Sequence, residues 1–408
     1  MNILLGTDSS PVDEGAGAER VLCEHAIRLA ERGHEVGILY RKTDPHVESP
    51  EGWHGCRLHP YSVATDSAFS FLSSTMRNAR AALRDVCESS PPDIACMHQP
   101  FTGLAFAGNR RIDFPLAYYF HSPAPAEYLS RLSVLAADSA GPARRVWHRQ
   151  AIPQAMRLVE GRVLRRTSAI IVASESMGAE LRRWHPRAAR DPVHLVPGGV
   201  DTERFRPADD KGALRDRLGL PSDKKILFSL RFLVPRVGME NTLRAISELK
   251  RARDDFVYLI GGKGPLLPSL EALAADLGLH DKVRFLGFIP EPELPDWYGC
   301  ADLYVQTDTH LQGFGLPILE ALSCGTAVLA TPVGGAREIL APLDGGRSLF
   351  SSLGHESMAR EISAALDAGA SVEFGARIRS FAEERFSWET IVDRLETCFE
   401  QTIAEHQS

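Results

Sequence analysis

The chain predicts an α/β architecture of two doubly wound, Rossmann-like domains facing across a cleft, and three observations carry that expectation. Short apolar runs alternate with helical segments along almost the whole length, as parallel strands covered on both faces by helices require. The alternation breaks once, at the polar, proline-containing "DTERFRPADDK", and then restarts. At 408 residues the chain also exceeds the size at which a single core usually divides.

The elements follow in order. "NILLG" at 2–6 reads as a first strand, followed by a loop holding Gly15 and Gly17, the helical "ERVLCEHAIRLAERGH" and a second strand "EVGILY", which together make a βαβ unit. Further strands are expected at "DIACMH", "LAYYFH", "AIIVAS" and "HLVPGGV". The second array begins with "KKILFSLRFL" and continues with a helix near 239–253, "FVYLIGG", a helix near 268–277, "KVRFLGFI", "ADLYVQT" and "AVLATP". "FSWETIVDRLETCFEQTIAEH" is a long amphipathic helix at the end. The expected division is 1–205 as the first domain, 206–385 as the second, and 386–408 as a terminal helix returning to the first.

With 44% hydrophobic and 24% charged residues the composition is that of a soluble globular protein. No run approaches the roughly 18 apolar residues of a membrane span. The N-terminus has no basic segment before its apolar run, so it reads as a strand and the protein as cytoplasmic. The seven cysteines form no C-x-x-C pair and read as small buried hydrophobes. Charge is uneven: residues 1–190 carry 23 basic and 20 acidic side chains, the remainder 23 and 33. Residues 141–190 hold eleven Arg against three Glu. Interleaved with Val146, Trp147, Ile152, Met156, Leu158, Val163 and Leu164, these arginines leave two readings open for 144–166. One is a basic amphipathic helix in peripheral contact with the inner face of an anionic membrane. The other is a solvated face over a core stripe. No nucleic acid partner is indicated.

In doubly wound sheets ligands sit beyond the carboxyl ends of the strands, so the loops that follow strands hold the candidate site. Gly15 and Gly17 precede a helix, where a backbone without Cβ lets a ligand approach. Arg231 ends a strand and Arg236 follows five residues on, a pair suited to a diphosphate through charge-assisted hydrogen bonds. Lys263 in "IGGKGPL" is within reach of a phosphate, and His121 in "YYFHSPAPAEYL" stands at a strand tip. In "QGFGLPILEALSCGTAVLATPVGG", at 312–335, a glycine turn feeds a helix whose first amides, Gly315 and Leu316, can face an anion, while Glu320 can accept from ribose hydroxyls. Together these imply a nucleoside diphosphate ligand.

That combination resembles the retaining glycosyltransferases of GT-B architecture, the group 1 or family 4 enzymes. "GAGAER" is similar to the family's GGAER, "VPGGVDTERFRP" to its interdomain stretch, and "GFGLPILEALSCGTAVLATPVGGAREIL" to its donor-binding signature. The resemblance implies that Gly17 approaches the donor diphosphate, Arg231 and Arg236 neutralise it, Glu320 holds the ribose and His121 lies near the donor sugar. It implies transfer from a nucleotide diphosphate sugar to a hydroxyl on a glycan, lipid-linked or small-molecule acceptor, with no cofactor besides the donor. No Asp-x-Asp occurs, so no catalytic metal is expected. Two positions depart from the family pattern. Val237 stands where a lysine usually precedes the glycine of the turn, and Gln312 stands where the family has the first of two glutamates. The resemblance also assigns the acceptor to residues 1–205 and the nucleotide sugar to 206–385, and two alternatives stay open: a GT-B-like sugar-nucleotide epimerase and, because of Gln312, a degenerate non-catalytic nucleotide-sugar-binding subunit.

Overall fold

The computed structural model describes the chain except residues 13–16, 45–49, 51, 108–111, 133–146, 189–191 and 370. Two compact units emerge. The first comprises Met1–Glu127, Val146–Gly198 and Trp388–Ser408; the second, Tyr128–Arg145 and Gly199–Ser387.

The first unit is built on an eight-stranded sheet: β1 (Asn2–Thr7), β2 (Glu35–Arg41), β3 (Gly52–Trp53), β4 (Cys56–Tyr61), β5 (Ile94–Met97), β6 (Leu116–Phe120), β7 (Ala169–Val172) and β8 (Val193–Leu195). Their spatial order is β3-β4-β2-β1-β5-β6-β7-β8. All neighbours are parallel except the short β3–β4 pair. The uninterrupted apolar runs of β5, β6 and β7 are buried throughout, as helices on both faces demand. Strand β4 was not anticipated: Arg57, His59 and Pro60 interrupt its pattern, and with only two-residue β3 beyond it, β4 lies nearly at the edge, where proline is tolerated.

The Gly17–Glu31 helix packs Val21, Leu22, His25, Ala26 and Leu29 inward, a helical stripe with a histidine at its centre. The Trp388–Gln407 helix belongs to this unit as well. Arg32 reaches it through Asp393 at 2.6 Å, Glu396 at 2.5 Å and the Glu389 carbonyl at 2.8 Å. Of the basic stretch, residues 144–146 lie outside the described residues. Trp147–Ala151 form a π-helical turn and Ile152–Leu164 an α-helix that buries Pro153, Glu160, Val163 and Leu164 while leaving Trp147 55% and Leu158 71% exposed. Among the described residues no helix is long and apolar enough to cross a membrane.

The second unit has a five-stranded, wholly parallel sheet: β9 (Lys225–Leu230), β10 (Phe256–Gly261), β11 (Val283–Gly287), β12 (Leu303–Gln306) and β13 (Ala327–Ala330), ordered β11-β10-β9-β12-β13. The helices Met239–Ala252 and His355–Ala368 bring Leu243, Ile246, Met358 and Ile362 into one core with Tyr258, Ile260 and Val305 of the sheet. In both sheets the strand order reverses beside the first strand of the array, between β1 and β5 and between β9 and β12. The loops leaving those four strands therefore diverge and leave room for a ligand.

Arg379, on the Val372–Phe386 helix, fixes the segment where the second array begins. Its guanidinium donates to the carbonyls of Thr202 (3.1 Å), Phe205 (3.1 Å) and Ser323 (2.8 Å). Arg379→Ala removes three charge-assisted bonds at once, and with each worth roughly 1 kcal/mol net for a partly exposed side chain, the expected loss is about 3 kcal/mol in urea unfolding.

Candidate active site

In the second unit the loops after β9 and β12 are joined into one structure. Arg231 directly follows β9, and its Nη2 donates to the Oδ1 of Asp308, two residues beyond β12. Asp308 is fully buried. Burial works against the Arg231 charge, but the adjacent carboxylate more than restores it, holding its pKa above the ordinary value. The Thr309 amide donates to the Arg236 carbonyl at 2.8 Å, Thr307 Oγ1 to the Val237 carbonyl at 3.0 Å, and Arg236 Nη1 to the Leu311 carbonyl at 3.0 Å. Gly238 allows this approach: its φ is +68°, and a Cβ there would lie 2.3 Å from the Thr307 carbonyl oxygen. Val237, in the place of the family's lysine, is a core residue.

The Leu311–Gly315 loop is a strained cradle. Leu311 takes φ +53°, uncommon for a bulky side chain. Gln312 is 4% exposed, and neither its Oε1 nor its Nε2 has a hydrogen-bond partner among the described residues. Such orphaned buried groups are rare where no ligand binds. Gly315 opens the Leu316–Ser323 helix at φ +117°, without a side-chain cap, which leaves the helix N-terminus to present its amides. The glycine pair that closes the motif, Gly334 and Gly335, has a packing reason. A Cβ at either would fall 2.1–2.2 Å from the carbonyl oxygens of Gln312 and Phe314.

The remaining predicted donor residues are engaged differently from those of the cradle. Glu320 is buried on the helix, where its Oε2 accepts the Tyr298 hydroxyl at 2.6 Å; the carboxylate expected to meet ribose is engaged within the fold. Lys263 is exposed and lies over the Phe288 ring, 4.5 Å from its centroid. Around it the backbone is fixed by Gly262 and Gly264, whose Cβ atoms would collide with Arg231 and Leu233 backbone.

Gly15, Gly17 and His121 belong to the first unit. Gly15 lies outside the described residues. Gly17 begins its helix, and among the described residues a Cβ there would meet no atom within 4 Å, so the packing of those residues does not require glycine. His121 follows β6, and its Nε2 shares a hydrogen bond with His98 Nδ1 at 2.9 Å. Both rings stack on Tyr119, with centroids 4.5 and 5.1 Å away. His25 closes the cluster against His98, Tyr119 and Trp388. Burial, and then nearby His121, pushes His25 down to about 3; burial puts His121 at about 3 and, with the other two imidazoles, holds His98 well below its ordinary value. All three rings are therefore neutral at pH 7.

Sequence reasoning missed several residues here. His98 follows β5 just as His121 follows β6, so the strand-tip rule that selected one applied equally to the other. Asp8 accepts from the Phe101 and Thr102 amides and from Thr102 Oγ1, while Gln99 accepts from the Asp8 amide and donates to Glu19. These bonds tie the β1 and β5 loops together. Glu160, fully buried, accepts from His185 Nε2 at 2.8 Å and from the Ala124 amide just beyond His121. Its one sequence signal is a carboxylate set in an apolar helical stripe.

Two doubly wound units, with cationic and amide donors gathered at the strand-order reversal of the second, define the GT-B class of fold. Residues 15–204 match the family described as Glycosyltransferase Family 4, and residues 210–385 match Glycosyl transferases group 1. The D-inositol 3-phosphate glycosyltransferase of Thermobispora bispora is 31% identical over 360 residues, which is 82% of this chain and 79% of that protein. A GDP-mannose-dependent alpha-(1-6)-phosphatidylinositol monomannoside mannosyltransferase of Mycolicibacterium smegmatis is 40% identical over 156 residues, 36% of this chain and 40% of that protein. Among solved structures, sucrose-phosphate synthase from Thermosynechococcus elongatus shares the fold with a TM-score of 0.80 at 22% identity, covering 99% of both chains. Anabaena HepE, solved with UDP and glucose, does so with a TM-score of 0.74 at 19% identity over 98% of this chain and 100% of that one. The chain belongs to the group 1, family 4 glycosyltransferases, and it is a glycosyltransferase.

The neutral histidine cluster carries a pH dependence with a definite sign. Histidines whose folded pKa is depressed bind fewer protons when folded than when unfolded, so the stability they contribute is present above about 6.5 and is lost as pH falls toward about 3. Each such group costs on the order of 1.4 kcal/mol per pH unit inside that window. Denaturant unfolding followed from pH 7 to pH 4.5 is expected to show that loss, with a shallower slope in His25→Phe.

Proposed function

We propose that this glycosyltransferase moves a sugar from a nucleoside diphosphate sugar to a hydroxyl acceptor, with retention at the anomeric carbon and without a catalytic metal. The observation that carries the reading is the cradle at the β9/β12 reversal: Arg231, Arg236 and the uncapped Leu316–Ser323 helix border a loop whose Gln312 amide has no hydrogen-bond partner among the described residues. As the bond between the anomeric carbon and the diphosphate oxygen breaks, charge grows on the leaving group. Preorganised guanidinium and amide donors stabilise that charge more than they stabilise the intact donor. The acceptor oxygen then bonds the anomeric carbon from the face the diphosphate leaves, and the acceptor proton passes to the departing phosphate oxygen. In the first unit, neutral His121, held by His98, is suited to hydrogen-bond a sugar hydroxyl. Neutral Gln312 positions the donor sugar without supplying charge. Glu320 supports the ribose subsite from within, through Tyr298.

The relatives named above act on GDP-mannose and on inositol phosphate or phosphatidylinositol mannosides, so GDP- and UDP-sugars paired with inositol phosphates are the first combinations to assay. Arg231→Ala and Arg236→Ala should each lower kcat/KM by about ten- to a hundredfold, and Gln312→Ala should lower kcat, in the presence of EDTA as in its absence. Free sugar and nucleotide released equally well without any acceptor would favour the epimerase alternative. Donor binding with no turnover across the acceptor panel would favour the binding subunit.

A second reading rests on the exposed face of Trp147–Leu164, where Trp147 and Leu158 lie open among Arg149, Arg162, Arg165 and Arg166. That face suits peripheral contact with an anionic membrane and hence a lipid-linked acceptor at the cytoplasmic surface. Sedimentation with vesicles containing an anionic phospholipid is expected at low salt and should fade as salt rises. Trp147→Ala with Leu158→Ser should abolish it.

A further inference from the structure

The Arg231–Asp308 pair raises a question that the proposed donor site does not absorb. Arg231 is the first cation of the diphosphate subsite, yet it stands already paired with a carboxylate that is wholly buried. Asp308 has no second cation: its Oδ2 lacks any hydrogen-bond partner among the described residues, and Arg231 Nε likewise lacks one. The carboxylate also cannot swing away easily. Its carbonyl accepts Thr331 Oγ1 at 2.6 Å, and its neighbours Thr307 and Thr309 are bonded to Val237 and Arg236 across the loop junction. A single guanidinium is thus shared between a fixed internal anion and any anion arriving from solvent.

We infer that Asp308 is an internal counter-anion in the diphosphate subsite, a positioning residue that holds Arg231 in place and weakens the grip on the nucleoside diphosphate product. This inference rests on the donor site proposed above. Without a ligand, the carboxylate satisfies a buried guanidinium that would otherwise stand uncompensated. With a diphosphate bound, the two anions oppose each other across one cation, so part of the attraction is cancelled. The effect grows with ligand charge. It weighs more on a free nucleoside diphosphate than on a nucleotide sugar, whose distal phosphate is esterified, and more on either than on a nucleoside monophosphate that does not reach Arg231. The structure therefore favours product departure over product retention, through a residue that touches the cation and not the reacting bond.

The sign of this effect separates it from a scaffolding role. Asp308→Asn keeps an oxygen for Arg231 Nη2 and removes only the charge. Calorimetric titration with GDP, UDP and ADP identifies the nucleotide that wild type binds. For that nucleotide, Asp308→Asn is expected to bind the diphosphate about tenfold tighter, in line with the effect of one charge on another at 4–6 Å, and the monophosphate with unchanged affinity. Product inhibition should strengthen by the same factor. If the single variant does not fold, Arg231→Gln and Arg231→Gln/Asp308→Asn, which together remove both buried charges, give the same comparison, and the double variant should bind the diphosphate tighter than Arg231→Gln alone. Equal or weaker diphosphate binding on loss of the carboxylate, in either background, overturns the inference and leaves the donor site standing. Absence of any nucleoside diphosphate binding by wild type overturns the donor site itself.

Discussion

A guanidinium shared across the β9/β12 reversal is the contact on which the second unit's functional geometry depends. Parallel strands on either side of the reversal send their loops apart, and nothing in sheet hydrogen bonding brings them together again. Here Arg231 and Asp308, with the Thr309 amide and Thr307 hydroxyl on the carbonyls of Arg236 and Val237, close that gap from both sides. Everything downstream inherits the position so fixed: the strained Leu311, the buried Gln312 and the start of the Leu316–Ser323 helix. The first unit solves the equivalent problem at β1/β5 with neutral and anionic groups, Asp8 and Gln99 bridging the two loops and Glu19 tethering Gln99. One unit thus places a cation at its reversal and the other an imidazole cluster, a difference of chemistry on equivalent scaffolds.

The two units also handle buried polarity differently. In the first, His25, His98 and His121 lie neutral and stacked, and the nearest buried carboxylates, Asp8 and Glu160, are raised by burial and partly restored by the amides and the imidazole they accept from. In the second, charge is kept and paired. Keeping histidines neutral costs stability in acid, whereas a buried ion pair carries its desolvation cost already and destabilises strongly when one partner is removed and the survivor is left uncompensated.

Much of this was legible in the sequence, and the limits have physical causes. Strands β5, β6, β7 and β10 announce themselves because both faces are buried and their residues are apolar without interruption, and β9 and β12 do so with a single polar residue, Ser229 or Gln306, in the buried run. Strand β4 was hidden because an edge tolerates Arg57, His59 and Pro60. Arg231, Arg236 and the 313–315 turn were selected by their place after strands and Gln312 by its departure from the family pattern, and the structure brings these segments to one loop junction. Asp308 escaped notice because an aspartate between two threonines after a strand reads as a turn residue; only its depth and its partner mark it. Glu320 was recognised as a residue of the signature, but the period of its helix alone could not tell that it faces Tyr298 and the core. Pairings across long sequence separations, such as His98 with His121 or Glu160 with His185, have no local signature.

The close seating of Gly334 and Gly335 against the carbonyls of Gln312 and Phe314 has a consequence for how such an enzyme can diverge. The backbone of the 311–315 loop is seated against the start of the Gly335–Asp344 helix, which lies beyond β13 in the chain. The Gln312 side chain can then be exchanged while the loop keeps its shape, whereas a methyl group added to either glycine would deform it. In the donor site proposed above, selectivity then rests on a few side chains set in a backbone whose shape those glycines keep.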